Sequence, residues 1–516
     1  MSNITAVQTG SGWDVDGPTT TQVLVNLDTN GLPTGSLITP DGQPVGVEAV
    51  FSVASFGAAC DGRVLADAST PGRTGAGNVV VNSATAAFSA ADVGKYIGLM
   101  PDPTLAASGY QITRGQIVSV ESATSATVSV PGSVTAISSN GSLIVATDDS
   151  NAIDLAIAAA SVDGGIVYFP GMCGVTRGFQ IPDGVKLRGA GMGFRDAFRF
   201  AKFGAGMTYL GVYNASGSLV ILNKRAAFCE DMTIDAAAGM AQALDMQGAG
   251  GSTGMSATRI HAAGGHVYTV KMGASSRLHN SEINGRFRGT PIQMGGDCRV
   301  TTGNHIYGAG DNLPVVEMND PTDDAQLHGN HLYRNGWGSA APANPGVIVY
   351  LKAFGTSTAT GGMISHNHFD TCEGHGILVE VFNSTAGRPG VQALTINHNQ
   401  FFQPQTGVTT DTYSLIKIKC GSGGANPARI RGLSIMGNVA KGTPGTAQGQ
   451  ASGTTKRWKS IVDWEVQATQ GEMRAVSVVG NTATDCQTVY STSGAAYSPS
   501  YSAGNVVWDG SAEAIA

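Results

Sequence analysis

The stretch ISHNHFDT (residues 364–371) carries the pattern that decides the fold: an apolar residue, Asn367 three positions later, and a second apolar residue two positions after the asparagine. Related segments recur down the second half of the chain: TTGNHIYG (301–308), LHGNHLYR (327–334), INHNQFFQ (396–403), IMGNVAKG (435–442), VVGNTATD (478–485) and SAGNVVWD (502–509). Successive asparagines are 24 to 43 residues apart. This spacing matches one coil of a solenoid whose loops vary in length.

Stacked coils place equivalent residues in columns along the solenoid. The apolar residues that flank the asparagines are therefore predicted to form a core: Leu327, Ile364, Ile396, Ile435 and Val478 before them, and Ile306, Leu332, Phe369 and Phe401 after them. Each asparagine is expected at a corner, in the left-handed conformation, with its amide bonded to turn backbone. The pattern predicts an all-β chain, a right-handed single-stranded parallel β-helix.

The composition agrees with a solenoid and excludes several classes of protein. The chain has 516 residues, 72 of them glycine, and only 13% are charged, which suits many tight turns between short strands. A net charge of −7 without long Lys/Arg runs predicts that nucleic acid is not a partner. No apolar stretch is long enough to span a bilayer, so no membrane insertion is expected. No signal peptide is predicted either.

The cysteines show no pairing pattern. There are seven, without any CxxC spacing: Cys60, Cys173, Cys229, Cys298, Cys372, Cys420 and Cys486. Cys420 ends the apolar-patterned segment LIKIKC, where a core residue is expected. The sequence therefore predicts buried free thiols and a protein assembled inside a cell without a disulfide framework.

The chain is predicted to divide into four parts: an N-terminal head, a cap region, a solenoid body and a tail (residues 1–50, 51–177, 178–510 and 511–516). Within the cap region, residues 64–146 are expected to be a β-rich insertion. Residues 149–161 carry apolar side chains at helical spacing, and Asp148, Asp149 or Ser150 is expected to cap this helix. Such a helix covers the open end of a solenoid, whose edge strands and apolar layers are otherwise exposed.

The cap region resembles the opening of pectate-lyase-like β-helix proteins, above all phage tailspikes and tail-associated depolymerases. The resemblance lies in VASFGA (53–58) with Asp61–Gly62, in DDSNAIDLAI (148–157) and in GGIVYFP (164–170). The segment FSAADVGKY (88–96) is similar to insertions in phage tail proteins. The sequence-specific part of the likeness is confined to residues 51–190, and the architecture to about 51–510. It is more specific for fold than for chemistry, because one solenoid supports many activities.

The resemblance implies a homotrimer on the phage tail, assembled in the host cytoplasm and attached to other virion proteins through its N-terminus. It implies that the protein binds a bacterial surface polysaccharide and depolymerises it without a cofactor. We favour glycoside hydrolysis by paired carboxylates. The alternatives are a polysaccharide lyase, a tail protein that only binds glycan or has a structural role, and a secreted bacterial enzyme.

A second column of strands is predicted from the apolar-x-apolar cores of TVKMG, PIQMG, VVEMN, IVYLK, LVEVF, LIKIK and VDWEV. Side chains alternate along a strand, so the residues between the apolar positions are expected to point outward. They make one predicted surface row: Lys271, Gln293, Glu317, Tyr350, Glu380, Lys417, and Asp463 or Glu465.

Glu317 and Glu380 are the predicted catalytic pair in this row. Two coils apart, their carbons are expected roughly 10 Å from each other. Flexible carboxylates at that separation approach the approximately 6.5–9.5 Å of inverting glycoside hydrolysis, in which one group protonates the leaving oxygen and the other activates water. Tyr350 is predicted to stack on a sugar or to donate a hydrogen bond. An ordinary solvated sheet face or a trimer contact has the same appearance, and a shift of one residue would bury these side chains.

Loop carboxylates form a competing catalytic set. The segment MNDPTDDAQ places Asp320, Asp323 and Asp324 after Glu317, and HFDTCEGHG supplies Asp370, Glu373 and His375. A groove under these loops would combine acid and base from different coils. Ordinary turn chemistry also favours aspartate at such positions. A lyase needs a base and a cation instead, for which Tyr350, Arg334, Lys417 and Lys419 are available.

Histidines and one tryptophan complete the predicted glycan site. His305, His331 and His368 follow asparagines and are expected to stack along the exterior. The segment HNHFD (366–370) suggests a metal, but the repeat period alone explains these imidazoles, so no metal is predicted. His368, His375 and Lys417 are predicted to contact substrate. Trp337 and Arg334, in a long polar loop, are predicted to line a glycan site or to contact a neighbouring subunit.

Overall fold

A computed structural model describes most of the chain. It leaves out residues 1–3, 7–22, 26–36, 39–43, 46–48, 101–112, 135, 197–198, 203, 212–213, 223–226, 237–238, 248–253, 286–288, 297–299, 311–312, 322–324, 334–346, 354–357, 361, 371–373, 383–389, 403–412, 423–427, 442–457, 467–470, 485, 493–498, 509–512 and 516. In the part of the chain that it describes, no helix is long and apolar enough to cross a membrane.

The body is a right-handed parallel β-helix with three long sheets, as the sequence predicts. The first sheet contains the strands Val50–Ser52, Gly165–Phe169, Val185–Gly189, Phe228–Glu230, Ser256–Thr258, Arg277–His279, Val300–Thr302, Gln326–His328, Met363–Ser365, Thr395–Asn397, Ser434–Met436, Ser477–Val479 and Tyr501–Ala503. The second contains Met172–Val175, Gly206–Tyr209, Thr233–Asp235, His261–Ala263, Glu282–Asn284, His305–Tyr307, His331–Tyr333, His368–Asp370, Gln400–Phe402, Val439–Lys441, Thr482–Thr484, Val506–Trp508 and Glu513–Ile515. The third contains Phe179–Ile181, Asn214–Leu222, Met240–Met246, Tyr268–Met272, Thr290–Gly296, Val316–Pro321, Val349–Ala353, Ile377–Phe382, Ile416–Ser422, Trp458–Val466 and Cys486–Thr492.

A fourth, shorter sheet lies between the third and first sheets in the later coils. Its strands are Thr358–Thr360, Gly390–Gln392, Ala428–Arg431 and Gly471–Arg474. Pairing between coils is parallel throughout these sheets, except that the last strand, Glu513–Ile515, runs antiparallel to Val506–Trp508. Three two-stranded sheets lie outside the solenoid ladders: Ile4–Ala6 with Val23–Val25, Leu37–Ile38 with Pro44–Val45, and Phe194–Asp196 with Arg199–Lys202.

The predicted core columns are confirmed. Leu327, Ile364, Ile396, Ile435 and Val478 are fully buried, as are Ile306, Leu332, Phe369 and Phe401. The phenyl rings of Phe369 and Phe401 stack on neighbouring coils with centroids 4.6 Å apart. The apolar interior therefore runs continuously along the axis, and each coil contributes a layer to it.

The asparagine column forms a buried hydrogen-bonded ladder. Asn399 shows the geometry of each rung: its Oδ1 accepts the backbone N–H of Asn367 at 3.0 Å and the side-chain Nδ2–H of Asn367 at 3.0 Å. Its own Nδ2 donates to the Ile364 carbonyl at 2.9 Å and to Asn438 Oδ1 at 3.0 Å. The same side-chain link joins Asn304, Asn330, Asn367, Asn399, Asn438, Asn481 and Asn505.

The expected backbone conformation of these asparagines is wrong. The left-handed residue is the one immediately before each asparagine: Gly303, Gly329, His366, His398, Gly437, Gly480 and Gly504 all have φ between +52° and +67°. Five of these seven positions are glycine, which adopts this conformation without a Cβ penalty. The asparagine itself follows the corner, where its amide reaches both neighbouring coils.

The insertion in the cap region is a closed antiparallel barrel of six strands: Arg63–Thr70, Gly77–Asn82, Tyr96–Met100, Thr113–Ser122, Ser125–Val130 and Ile137–Ala146. Its interior, which includes Val81, Ile97 and Val128, is separate from the solenoid core. The barrel contacts the first coils through Arg114, whose guanidinium lies 4.3 Å from the ring centroid of Tyr209.

The two motifs of the cap region, around Asp61 and around Asp149, lie next to each other although the barrel separates them in sequence. The Asp61 carboxylate accepts the N–H and the hydroxyl of Thr147, both at 2.9 Å. The Asp149 carboxylate accepts the backbone N–H groups of Ala59 and Cys60 at 2.6 and 3.0 Å. The two aspartates thus join the chain segments that enter and leave the barrel.

The capping helix spans Ser150–Ala160 and follows short 3-10 helices at Val53–Phe56 and Ala90–Asp92. It covers the first coil with buried Ile153 and Ala156. Asp149 is its N-cap residue by position, but its side chain bonds to the backbone elsewhere instead of capping the helix. Asp148 accepts the N–H and the hydroxyl of Ser150, at 3.1 and 2.6 Å. The proposed domain boundaries, and the role of residues 1–50 as a head, stay predictions.

The cysteines within the described residues form no disulfide, as predicted. Cys173, Cys229, Cys420 and Cys486 are buried, and Cys60 is half-buried with its Sγ 2.8 Å from that of Cys173. Cys298 and Cys372 lie outside the residues that the structure describes.

We predict that Asn399→Ala destabilises the solenoid. The substitution leaves two donors of Asn367 and the carbonyl of Ile364 without partners in a buried site, at a cost of roughly 3–6 kcal/mol. Denaturant unfolding followed by circular dichroism measures the change. Gln400→Ala, at the exposed side chain that directly follows Asn399, is the control and is expected to change stability by less than about 0.5 kcal/mol. Equal stability of the two variants would contradict a stabilising role for the ladder.

Candidate functional site

The outer face of the third sheet carries two parallel rows of side chains. The first row contains Lys271, Gln293, Glu317, Tyr350, Leu378, Lys417 and Asp463. The second contains Asn319, Lys352, Glu380, Lys419 and Glu465. Alternating residues, such as Met318, Leu351 and Val379, are fully buried in the core. The predicted outward orientation of the row residues is therefore correct.

The predicted single row is wrong at Glu380. Tyr350 pairs with Leu378 on the next coil, and Glu380 pairs with Lys352. Glu380 consequently lies two positions further along its strand, in the second row. Glu317 and Glu380 are still two coils apart, but they are arranged diagonally across the sheet.

Tyr350 brings the two glutamates into one cluster despite this offset. Its hydroxyl donates a hydrogen bond to Glu380 Oε2, and the charges of Glu380 and Glu317 both act on it. Glu317 and Glu380 are only 8% and 7% exposed, so little water screens their charges. We call Glu317, Tyr350, Lys352, Glu380 and Lys419 the glutamate cluster.

Each glutamate of the cluster has a lysine partner. Lys352 Nζ lies 3.2 Å from Glu317 Oε2 and 4.6 Å from the ring centroid of Tyr350. Lys419 Nζ donates to Glu380 Oε1 at 3.1 Å. Asn319 Nδ2 donates to the other oxygen of Glu317. Because these groups are paired, the sheet face tolerates two nearly buried carboxylates.

Tyrosines beside the glutamates resist ionisation. Burial raises the pKa of Tyr350, and its hydrogen bond to Glu380 and the charges of Glu380 and Glu317 raise it further. Burial also raises the pKa of Tyr268, with the Glu317 charge as a second cause. Both phenols are therefore protonated at neutral pH, where they act as hydrogen-bond donors and not as bases.

A second group of charges continues along the same face. Lys417 Nζ lies 2.8 Å from Glu465 Oε2 and 3.5 Å from Asp463 Oδ2. Burial opposes the charged form of Lys417, but these carboxylates outweigh burial and raise its pKa. Asp463 is 2% exposed; burial favours its neutral form, but a hydrogen bond from Ser491 and the charges of Lys417 and Lys459 lower its pKa. Lys419 Nζ, 3.8 Å from Glu465 Oε1, joins this group to the glutamate cluster.

His375 lies next to this second group. Its Nδ1 accepts the Ser414 N–H at 3.0 Å, and its ring meets that of Tyr413 edge-on at 5.1 Å. Burial lowers the pKa of His375 to about 4, with the Lys417 charge as a further cause. The imidazole is therefore neutral at pH 7.

Asp370 and His368 are not part of the glutamate cluster. They lie on the second sheet, on the strand His368–Asp370, and so on a different face of the solenoid from Glu317. The His368 ring stacks on that of Phe402 and is tilted by 46° against that of His331, with centroids 4.6 Å away in each case.

Several predicted site residues fall outside the described part of the chain: Asp323, Asp324, Arg334, Trp337 and Glu373. Asp320 belongs to the strand Val316–Pro321, and its side chain is likewise outside the description. Their assignments to catalysis or glycan binding stay predictions.

Three members of the site had not been identified from sequence: Tyr268, Asn319 and Lys352. Lys352 and Asn319 stand two positions after predicted outward residues, Tyr350 and Glu317. Alternation alone would have placed them on the same face. Tyr268 has no comparable signal, because its contact with Glu317 depends on the stacking of non-adjacent coils.

No family model matches the chain, and no curated protein matches it by sequence. Among solved structures, it is similar to the Dettilon tailspike protein, with 13% identity and a TM-score of 0.44, over 70% of this chain and 62% of that one. It is also similar to the tailspike protein of E. coli bacteriophage HK620 in complex with a pentasaccharide, with 11% identity and a TM-score of 0.46, over 70% and 63%. The chain thus spans less than two thirds of these tailspikes.

The catalytic domain of a GH87 alpha-1,3-glucanase variant in complex with nigerose is a third similar structure. It has 12% identity and a TM-score of 0.41, over 86% of this chain and 90% of that one. The likeness to tailspikes and to this β-helical glycoside hydrolase is one of architecture.

We predict that Tyr350 stays protonated in mildly alkaline solution. Its pKa is raised, so its phenol should not ionise near pH 10, the ordinary value for tyrosine. The measurement is the tyrosinate absorbance of wild type minus that of Tyr350→Phe, followed to about pH 11, with N-acetyltyrosinamide as the calibrant. The difference is expected to be flat. A full tyrosinate signal centred near pH 10 would show that the phenol is not enclosed by the glutamates.

Proposed function

We propose that this protein binds a bacterial surface polysaccharide and cleaves it by glycoside hydrolysis at the glutamate cluster. The observation that carries the proposal is the convergence of two nearly buried carboxylates on one protonated phenol, on the outside of the solenoid. A solenoid does not need charges there for its core. Buried ionisable groups with specific charge partners mark candidate functional sites.

The cluster contains the groups that hydrolysis needs. One carboxyl group protonates the glycosidic oxygen while the other carboxylate activates water or attacks the sugar. Tyr350 donates to Glu380 and holds its carboxylate in one orientation. Lys352 and Lys419 provide charged donors for hydroxyl groups of the sugar on either side of the bond to be cleaved.

A lyase is the second candidate, and the lysines favour it. Lys352 and Lys419 lie within 3.2 Å of the glutamates, where they could neutralise the carboxylate of a uronic acid. A lyase also needs a base for the proton on the sugar carbon. Tyr350 stays protonated because its pKa is raised, so it cannot accept that proton, and a glutamate would have to be the base. Hydrolysis, which uses two carboxyl groups as acid and base, therefore remains the first choice.

The proposal also covers the location of the protein on the phage particle. The resemblance of residues 51–190 to phage tailspikes supports a tail protein that is assembled in the host cytoplasm and attached through residues 1–50. The same resemblance supports a homotrimer and partner proteins in the tail. If the glutamates are purely structural, the alternative hypothesis is a protein that binds glycan without cleaving it.

We predict that Glu317→Gln and Glu380→Gln each lower cleavage about 100-fold or more, as expected for loss of an acid or base, while glycan binding is retained. Purified protein is incubated with a panel of capsular and O-antigen polysaccharides, and the products are followed by mass spectrometry and reducing-end assays. Glu472→Gln is the matched control, since this glutamate also pairs with cations but lies on the fourth sheet.

The products separate the alternatives. Saturated oligosaccharides that disappear in both glutamine variants support hydrolysis at the cluster. Unsaturated ends assign the chemistry to a lyase, and polymer that binds but stays intact leaves a binding protein. Cleavage at wild-type rate by both variants would contradict the assignment of the site.

We also predict a trimer in solution. Light scattering coupled to size exclusion is expected to give three times the chain mass of 52.6 kDa. A stable monomer at micromolar concentration would contradict the homotrimer, although not the proposed chemistry.

A further inference from the structure

The second sheet brings two histidines and an aspartate together on its outer surface. His331 and His368 are direct partners on adjacent strands. Asp370 follows His368 by two residues, so both point outward while Phe369 between them is fully buried. All three side chains are half-buried. We call His331, His368 and Asp370 the His–Asp triad.

The donor atoms of the triad lie close to one another. One donor atom from each residue lies within 4.8 Å of the other two. His331 Nε2 is 3.8 Å from Asp370 Oδ2, too far for a hydrogen bond. Two ligands of one tetrahedral ion, each with a bond of about 2.0–2.1 Å, lie roughly 3.3 Å apart. A small inward movement of the side chains is enough to reach that separation.

His331 also has an unsatisfied nitrogen. Its Nε2 is shielded from solvent and has no hydrogen-bond partner among the described residues. A buried polar atom without a partner carries a free-energy cost of about 1–3 kcal/mol. A cation shared with Asp370 would remove that cost.

We propose that His331, His368 and Asp370 bind a divalent transition-metal ion, for which Zn²⁺ is the natural probe. Imidazole and carboxylate are ligands that zinc and its neighbours in the first transition series accept. Three protein ligands at a half-exposed surface leave at least one coordination position for water or for an anionic group of another molecule.

Backbone hydrogen bonds to two of the ladder asparagines hold the strands that carry the two histidines. The His331 N–H donates to the Asn304 carbonyl and the His368 N–H to the Asn330 carbonyl, both at 2.8 Å. Both ladder asparagines are buried. The backbone of two of the three ligands is thus held in place before a metal arrives, which lowers the entropic cost of binding.

A second histidine stack provides an internal contrast. His328, His366 and His398 also follow one another with successive ring centroids 5.0 Å apart; the His366 and His398 rings stack, whereas those of His328 and His366 are tilted by 59°. Among the described residues, no carboxylate joins that stack within ligand distance. His366 is therefore not part of the site, although it belongs to the HNHFD segment; the third ligand, His331, comes from the preceding coil.

The other group of potential ligands among the described residues, Cys60, Asp149 and Cys173, is less suited to a metal. Both oxygens of Asp149 already accept backbone N–H groups, from Ala59 and Cys60. A metal there would have to break the contacts that close the cap.

Isothermal titration of the full chain, stripped with EDTA, with zinc chloride tests the proposal. One ion per chain is expected. His368→Ala and Asp370→Asn should each weaken binding by at least about 10-fold, equivalent to about 1.4 kcal/mol, while His366→Ala should bind like wild type. Cobalt chloride provides a second readout, since visible absorption bands of the bound ion should appear in wild type and be lost in the triad variants.

Thermal unfolding of each variant shows whether it is folded. Asp370→Asn preserves the shape of the side chain, so its zinc affinity tests the proposal if His368→Ala does not fold. Absence of stoichiometric binding to wild type would overturn the proposal. So would binding that survives both triad substitutions, or binding that is lost in His366→Ala alone.

Discussion

Hydrogen bonds between the side-chain amides of consecutive asparagines are the constraint on which the later coils depend. Each amide joins three successive coils, because it accepts from one asparagine, donates to the next and also bonds to strand backbone. Asn399 and its neighbours are fully enclosed, so a slipped coil would leave several polar groups unpaired at once. The loops between coils are free to vary in length because the register is set at this corner.

Fixed register turns the outer faces of the solenoid into columns of side chains at constant spacing. On the third sheet, this spacing lets Tyr350 reach diagonally to Glu380 while it remains next to Glu317. On the second sheet, it sets His331 directly opposite His368. The two faces thus carry different chemistry on one scaffold: paired carboxylates with lysines on one, and imidazoles with a carboxylate on the other.

The sequence was sufficient for the fold because the pattern repeats. The apolar columns, the capping helix and the outward-facing charges all follow from period and alternation, and the asparagine ladder is visible by eye. The left-handed residue was misplaced by one position because asparagine is the invariant residue of the pattern and can itself adopt this conformation, whereas the position before it holds glycine in five coils and His366 or His398 in the other two. The conformation belongs to the corner itself, whichever residue stands there.

The site was predictable only in part. Ile377, Leu378 and Val379 are consecutive apolar residues, so an apolar-x-apolar template fits this strand at two offsets, and the wrong offset placed Glu380 beside Tyr350. Leu378 is an apolar residue in the outward row, which alternation cannot reveal. The column of His331 and His368 was predicted from the repeat, but Asp370 was assigned to a loop groove, whereas it lies on the strand His368–Asp370 with its carboxylate beside both imidazoles.

The most direct test of the proposed site is a crystal structure of the Glu380→Gln variant with an oligosaccharide of the polysaccharide that the wild-type protein cleaves. The account predicts that the glycosidic oxygen to be cleaved lies between Glu317 and position 380, with Tyr350 and the two lysines of the cluster in contact with the flanking sugars. An oligosaccharide bound on another face, with the third sheet unoccupied, would contradict the central claim.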